Sequence, residues 1–319
     1  MLIVQKFGGS SLADLDRLRR AAAIALRARR AGHGVAVVVS AMGDSTDELL
    51  ARAREILPEP SPRELDALLN TGEQRSAALF ALTVQSLDGE ARSFTGWQAG
   101  IVTEGPFGDS RIVAVRPERL RQSLADGVIP VVCGFQGSTE GGVLTTLGRG
   151  GSDTTAVALA AALAADRCEI YTDVSGVYTA DPRRVAEARQ LREIDVRDML
   201  ALARAGAQVL HDRSVELALR SGVPLWVLPA FTEGDGTAVR WLDEARRPAL
   251  AGATARDRAV TLAGREAAAP MLSRLMLALE KAHIPIEGAA VRSGSVSVRV
   301  PEEDETRALQ IAHSLIREE

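Results

Sequence analysis

Short apolar runs alternate along the first 240 residues with longer segments in which apolar positions recur every three or four residues. The short runs have the length and the Val and Ile content of buried parallel strands, and they lie at 2–6, 34–40, 129–134 and 168–171. The longer segments predict helices at about 12–30, 63–82 and 154–165. Strands that alternate with helices predict an α/β fold, with a mostly parallel sheet sandwiched by helices.

The pattern changes after about Trp241. A polar segment that ends in proline, at 243–248, predicts a linker. Beyond it the pattern predicts strands at 259–263, 284–286 and 295–300, helices near 268–283 and 303–317, and a candidate further strand at 250–254. The order β-α-β-β-α is typical of a small α+β module. We therefore predict two domains, residues 1–242 and residues 249–319.

Composition excludes several classes of partner. The 319 residues carry a net charge of −4 without a long block of Lys or Arg, which argues against nucleic acid and against an anionic membrane. The chain opens in a strand without signal-peptide features, and no apolar stretch is long enough to cross a membrane, so we expect a cytoplasmic protein. Cys133 and Cys168 lie in or beside apolar runs, as reduced core residues do, and the four histidines are too scattered to predict a metal site.

The first candidate for chemistry is the glycine-rich loop GRGGSDTT at 148–155. Glycine lets an anion approach backbone NH groups, and the helix that follows offers unpaired NH groups at its start. Arg149 adds a planar fork that suits a carboxylate or a phosphate. The loop therefore favours a small anion. The alternative is a plain turn in which Ser152 or Asp153 caps the helix.

A second glycine-rich loop follows the first predicted strand. The segment 7–11, FGGSS, lies between that strand and a helix, and Lys6 stands beside it as a point charge, which favours phosphate. The loop is not a Walker A motif, because its lysine precedes the glycines, and it lacks the GxGxxG of a dinucleotide fold. Ser11 and Asp14 have the spacing of a capping box for the helix.

Five motifs in this order closely resemble those of the aspartokinases, which are members of the amino-acid kinase family, over essentially the first 240 residues. The motifs are KFGGSS from Lys6, SAM from Ser40, TGE from Thr71, TTLGRGGSDT from Thr145 and YTDVSGVYTADPR from Tyr171. Several linked motifs are far more specific than one. The resemblance implies the amino-acid kinase fold with an ACT-like C-terminal domain. It also implies phosphorylation of the β-carboxylate of L-aspartate by ATP and Mg²⁺, the step that opens lysine, threonine and methionine biosynthesis.

The resemblance also implies roles for individual residues. Lys6 and Asp153 are the expected catalytic residues, and Arg149 is expected to bind the α-carboxylate of aspartate. The expected substrate-binding residues are Thr46, Glu73, Arg149 and Ser152, with Glu73 and Asp153 near the ammonium group. The expected nucleotide and phosphate contacts are Lys6, Gly8, Gly9, Ser10, Thr172, Asp173, Tyr178, Asp181, Arg183 and Gln208.

The chemistry of the residues agrees with phosphoryl transfer to a carboxylate. A carboxylate nucleophile is already ionised, so the reaction needs no general base, and the chain offers no catalytic His or Cys candidate. Plainer alternatives stay open for several positions. Glu73 is a helix-surface carboxylate in one alternative, Tyr178 is a packing residue, and Asp181-Pro182 is a turn.

Two features depart from the family pattern. Aspartokinases usually have a lysine where this chain has Gln208, and a neutral amide supplies no charge to a phosphate, although Arg213 is a candidate replacement. Full-size aspartokinases carry two ACT modules, whereas this chain has room for one; because such modules pair across chains, we expect a homodimer. The alternatives to an active aspartokinase are a kinase for another amino-acid carboxylate or for a specialised pathway, and a weakly active regulatory subunit.

Overall fold

The computed structural model describes residues 1–317, which form two compact units. The first unit contains residues 1–175 and 220–234, and the second contains residues 176–219 and the chain from Asp235 onward. The observed division differs from the predicted boundary at 242–249, because residues 176–219 belong to the same unit as the C-terminal elements. Within the described residues, no helix is long and apolar enough to cross a membrane.

Six strands form the central sheet of the first unit. They are β1 (Leu2–Phe7), β2 (Gly34–Val39), β3 (Ala91–Phe94), β6 (Ile129–Cys133), β9 (Arg167–Thr172) and β11 (Leu225–Pro229). Their order across the sheet is β11-β9-β1-β2-β6-β3, and each of these five pairings is parallel. Strands β2 and β6 are buried along almost their whole length, which is why their sequences are continuous apolar runs.

Helices cover both faces of this sheet. Helices α1 (Leu15–Arg30) and α3 (Pro62–Gln85) pack on the face that carries Val37 and Val131. Helices α4 (Glu118–Ala125) and α5 (Gly151–Leu163) contact the sheet through the alternate side chains. Helix α5 is buried around most of its surface, as its run of Ala, Val and Leu requires. The predicted sandwich of a mostly parallel sheet between helices is confirmed.

The first unit also contains elements that the apolar pattern does not predict. Helix α2 (Ser45–Ile56) is one of these elements. Four short strands, β4 (Ile101–Glu104), β5 (Arg111–Val115), β7 (Gln136–Ser138) and β8 (Leu144–Thr146), form a second sheet in the order β5-β4-β7-β8. Strands of three to five residues are too short for a clear hydrophobic period, so only the tertiary structure defines them.

The start of helix α1 differs from its prediction. Residues 10–12 form a 3₁₀ turn, and the α-helix begins at Leu15. Asp14 is the N-cap, because its Oδ1 accepts a hydrogen bond from Arg17 N at 2.8 Å. The predicted capping box with Ser11 as the cap is therefore wrong.

The second unit begins with short elements and ends in an α+β module. Strands β10 (Glu193–Asp195) and β12 (Thr237–Arg240) pair in parallel, and helix α6 (Val196–Arg204) follows β10. Helix α7 spans Asp212–Ser221. The module has the antiparallel sheet β13-β14-β16-β15, formed by β13 (Gly252–Arg256), β14 (Ala259–Ala263), β15 (Gly288–Arg292) and β16 (Ser295–Arg299). Helices α8 (Ala269–Lys281) and α9 (Glu305–Arg317) pack on this sheet.

One strand of the module lies elsewhere than predicted, and one candidate strand is confirmed. The predicted strand at 284–286 lies at Gly288–Arg292 instead, because Pro285 has no NH group to donate to a sheet. The candidate strand at 250–254 is β13, which pairs with β14 and completes four strands. The apolar core between sheet and helices includes Val260, Leu262 and Leu309.

Candidate active site

The loops that carry the predicted chemistry of the first unit follow the carboxyl ends of its parallel strands. The loop 8–14 follows β1 and the loop 40–44 follows β2. The two loops are joined by a hydrogen bond from Gly43 N to Gly9 O at 3.0 Å. In open parallel sheets this edge is where ligands bind. The predicted residues of the first unit gather here.

Lys6 and Asp153 form an ion pair at this edge. Lys6 lies near the end of β1, and its Nζ is 2.7 Å from Asp153 Oδ1 in the first turn of α5. The two side chains are only 12% and 14% exposed. The carboxylate therefore holds the ammonium group of Lys6 in one place beside the glycine loop. Without this ion pair, a bound phosphate would itself have to order the long, flexible lysine side chain.

The glycine at position 9 is required by close packing. A Cβ atom on Gly9 would lie 2.6 Å from the carbonyl oxygen of Ala41, a backbone atom that cannot move aside. At Gly8 the nearest heavy atom to such a Cβ would be Lys6 Nζ, at 3.5 Å. Ser10 is exposed in the 3₁₀ turn. The glycines thus let the backbone lie directly against the second loop and beside the lysine.

The start of helix α5 is capped by Gly150 and not by a side chain. Gly150 has a φ of 69°, in the left-handed region, and the helix begins at Gly151. The alternative that Ser152 or Asp153 serves as the N-cap is therefore wrong. Ser152 is buried against Gly134, where a Cβ would lie 2.7 Å from Ser152 Oγ. Arg149, just before the helix, is exposed and makes no ion pair or hydrogen bond with the rest of the described chain.

Glu73 is buried, so the helix-surface alternative for this residue is wrong. Its Oε1 accepts a hydrogen bond from Ala41 N at 3.0 Å, whereas its Oε2 has no hydrogen-bond partner within the described residues. Burial raises the pKa of Glu73 to about 7, although the bond from Ala41 acts in the opposite direction. A half-satisfied buried carboxylate is costly unless a cationic group completes it. Glu73 is therefore suited to an ammonium ligand.

Two further buried polar residues of α3 are missing from the sequence prediction. Asp66 accepts hydrogen bonds from Gly108 N at 3.0 Å and from Thr146 N at 2.9 Å, and so ties the second sheet to α3. Asn70 O accepts from Gln136 Nε2 at 3.0 Å. With Glu73 they lie at i, i+4 and i+7, on one helix face. The signal in the sequence is this spacing, which places three polar side chains on one face of the helix.

The remaining predicted residues of the first unit are exposed or half-buried. Thr46 is half-buried in the first turn of α2, next to Ser45, whose Oγ accepts a hydrogen bond from Arg75. Thr172 ends β9, and its Oγ1 donates to Asp173 Oδ1 at 3.1 Å. Asp173 is exposed. These positions leave polar groups open at the same ends of the strands.

The other predicted nucleotide contacts lie in the second unit. Asp181 closes a turn, because its Oδ1 accepts hydrogen bonds from Arg183 N at 2.9 Å and from Arg183 Nε at 3.0 Å. These bonds lower the pKa of Asp181. Tyr178 is half-buried and pairs with Gln190 in an isolated bridge. Gln208 is exposed between α6 and α7, without a hydrogen bond to another described residue.

Comparison with known proteins assigns the chain. A sequence model described as the amino acid kinase family matches residues 1–229. The chain belongs to the amino acid kinase family. Within this family it is 54% identical over 240 residues to an aspartokinase of Mycolicibacterium smegmatis, an alignment that covers 75% of this chain and 57% of that protein. The resemblance to aspartokinases in the sequence is thereby confirmed.

Solved structures of family members agree with the fold. An aspartate kinase from Synechocystis matches 99% of this chain and 55% of its own, with a TM-score of 0.69 and 39% identity. E. coli aspartokinase III in complex with aspartate and ADP matches 96% of this chain and 80% of its own, with a TM-score of 0.73 and 28% identity. The chain spans somewhat more than half the length of the curated relatives it matches.

Proposed function

We propose that this protein phosphorylates the β-carboxylate of L-aspartate with MgATP and produces 4-phospho-L-aspartate. The observation that carries the proposal is the buried Glu73 carboxylate at the sheet edge that also holds the Lys6–Asp153 pair: its Oε2 has no hydrogen-bond partner among residues 1–317. An amino-acid ammonium would complete Glu73. Similarity to the E. coli aspartokinase solved with aspartate and ADP supports aspartate and ATP as the substrates.

In this proposal the two ends of aspartate are bound by different charges. Arg149, exposed beside the start of α5, binds the α-carboxylate through its fork. Glu73 and Asp153 receive the ammonium group, and Thr46 and Ser152 border the substrate. A substrate held by both of its charged groups presents its β-carboxylate in one orientation, which is the main requirement for transfer.

Phosphoryl transfer then follows without a proton acceptor. A β-carboxylate oxygen attacks the γ-phosphorus, the bond from that phosphorus to the β,γ-bridging oxygen breaks, and its electron pair leaves with ADP. Lys6, with the NH groups around Gly8, Gly9 and Ser10, stabilises the charge on the phosphoryl oxygens. Because Asp153 already fixes Lys6, little reorganisation is needed as that charge develops.

The nucleotide is proposed to bind through the loops after β9 and along 178–183. The proposed contacts are Thr172, Asp173, Tyr178, Asp181, Arg183 and Gln208. Mg²⁺ is usually held by one or two carboxylates and by substrate phosphates, and it would neutralise charge on the phosphates when bound. Asp173, exposed at the end of β9, is a carboxylate that fits this role.

Trapping the product with hydroxylamine tests the function. An acyl phosphate reacts to a hydroxamate, so the purified protein with MgATP and a panel of amino acids should give signal with aspartate alone. Signal with a different amino acid would mean that this amino acid, and not aspartate, is the substrate. The absence of signal with any amino acid would favour the regulatory-subunit alternative and contradict the proposal.

The variant Arg149→Ala sharpens this test. Loss of a bidentate charged contact should lower kcat/KM for aspartate about a hundredfold, mainly through KM, and leave the KM for ATP within about twofold. Arg52→Ala is the matched control, because Arg52 is also exposed and lies on α2. Equal loss in both variants, or loss in the KM for ATP alone, would contradict the placement of Arg149.

The wider setting is also a proposal. We expect a cytoplasmic homodimer that works in lysine, threonine and methionine biosynthesis, with the module after residue 249 as an ACT-like dimerisation or regulatory domain. Light scattering of the purified protein decides the oligomer. A monomer over the working concentration range would contradict the dimer.

A further inference from the structure

The predicted nucleotide segment of the second unit, defined here as residues 177–185, is built into the core of the C-terminal module. Ala180 and Val185 are buried in the same apolar cluster as Val260 and Leu309. A surface loop that lay on the module would not contribute to its core. The segment and the module are therefore one packed body within this unit.

A buried hydrogen bond joins the segment to helix α9. His313 Nε2 lies 2.9 Å from Thr179 Oγ1, and the two residues are 2% and 4% exposed. Thr179 has further bonds from both directions. Arg189 N donates to its Oγ1 at 3.0 Å, and Ala253 N, in β13, donates to its carbonyl oxygen at 2.8 Å. Loss of one partner in such a buried set leaves a polar group unsatisfied.

A second set of bonds holds the far end of the segment. Arg184 Nη1 donates to Ala255 O at 3.1 Å, and its Nη2 lies 2.8 Å from Glu305 Oε1. Gln310 Nε2 donates to Arg184 O at 3.0 Å. Together with Thr179, these contacts fix the backbone on both sides of the turn at Asp181.

The side chains of the segment form two sets, one buried in the module and one left uncovered. Thr179, Ala180 and Val185 point into the module and are buried. Tyr178 and Asp181 are half-buried, and Arg183 is exposed. The residues proposed to contact the nucleotide are thus the ones that the module leaves uncovered.

We infer that His313 is a positioning residue for nucleotide binding: through Thr179 it holds the segment, so the C-terminal module is part of the nucleotide site's scaffold. The inference rests on the proposed function for the identity of the ligand. It adds that a residue of the last helix, which no motif of the kinase family marks in this sequence, controls the affinity for nucleotide.

The test uses the full chain with His313→Ala and MgADP as the probe. Calorimetry should show MgADP affinity reduced about tenfold, the effect of leaving one buried polar group unpaired. The KM for ATP should rise by a similar factor, while the KM for aspartate stays within about twofold. Amide exchange in the peptides that cover 177–190 should become faster than in the wild type.

Three variants separate positioning from general damage. His313→Gln keeps a polar group able to reach Thr179 and should recover most of the affinity. Ser314→Ala is the matched control on the same helix, because Ser314 is exposed. Thr179→Val should weaken MgADP binding at least as much as His313→Ala does, because it also removes the acceptor of Arg189 N. The double variant should be little worse than Thr179→Val alone, since that variant has already lost the bond to His313.

The outcomes are distinct from failure of the proposed function. If the wild type is active but His313→Ala binds MgADP normally, the inference is wrong. If the wild type neither binds MgADP nor forms a hydroxamate, the proposed function fails. In that case the exchange measurement still decides the positioning role: unchanged exchange at 177–190 overturns it, and faster exchange in that segment alone upholds it.

Discussion

Two regions of the molecule hold their charged side chains in different ways. The first region is the sheet edge around Lys6 and Glu73, and the second is the 177–185 segment of the second unit. At the sheet edge the charged groups themselves are withdrawn from water: Lys6 and Asp153 are paired and largely buried, and Glu73 is buried with one oxygen that no other described residue bonds. In the 177–185 segment Arg183 is exposed, and it is the backbone that is anchored, through Thr179 and Arg184.

The difference follows from what each region is proposed to do. Charge that develops during phosphoryl transfer is best stabilised by groups already fixed in a dry environment, because they need no reorganisation. Contacts that only recognise a nucleotide gain less from burial, and a fixed backbone is enough to aim them. The first region therefore should govern turnover, and the second should govern nucleotide affinity.

Replacement of Lys6 should have the largest effect. Lys6→Met removes the cation beside the glycine loop and leaves Asp153 unpaired, so kcat should fall about 10³-fold, with a smaller change in the KM for ATP. The hydroxamate assay measures this directly. The sequence offers a matched control, because its one other lysine, Lys281, lies in the last turn of α8. A loss confined to KM would assign Lys6 to nucleotide recognition and not to turnover.

Glu73→Gln should change the pH dependence of both binding and stability. Because the pKa of Glu73 is about 7, wild-type binding of the substrate ammonium should weaken as pH falls below 7, with the KM for aspartate rising up to tenfold per unit. The variant should bind aspartate about 30-fold more weakly at pH 8 and lose this dependence. Glu64→Gln, at an exposed position on the same helix, is the control.

The contribution of Glu73 to the free energy of unfolding falls with rising pH, whereas its contribution to aspartate binding rises. Between about 4.5 and 7 the folded carboxyl keeps a proton that the unfolded chain has lost, so wild-type stability falls as pH rises through this window. Above it the buried charge costs about 3 kcal/mol. Urea unfolding should therefore show that the free energy of unfolding of Glu73→Gln rises relative to that of the wild type between pH 5 and pH 8. Parallel curves would show that Glu73 titrates normally.

Gln208→Lys should have the smallest effect and should increase activity. A lysine at this exposed turn would restore the cation that aspartokinases usually have, and turnover should rise by up to about tenfold. Gln208→Met, which adds length without charge, is the control. An unchanged or lower rate would mean that the phosphate charge is already balanced elsewhere.

The long helices and strands and the two glycine loops of the first unit could be predicted from the sequence. The burial of Glu73 and of His313 could not. The run of valines at 34–39 needs no context to be a buried strand. By contrast, Glu73 has the sequence surroundings of a surface helix, and its burial depends on Ala41 and the loop after β2. Likewise, nothing local in the sequence near His313 indicates that Thr179, 134 residues earlier, bonds to it.

The α/β class, the two glycine loops and the kinase family could be predicted before folding is considered, because hydrophobic period, glycine conformation and motif spacing are local properties. Three further features are visible only in the folded chain: Lys6 is held by Asp153, Glu73 has an oxygen without a partner in the described part of the chain, and the 177–185 segment is packed into the C-terminal module. These features depend on desolvation and on partners distant in the chain. Both arise only when remote segments pack together.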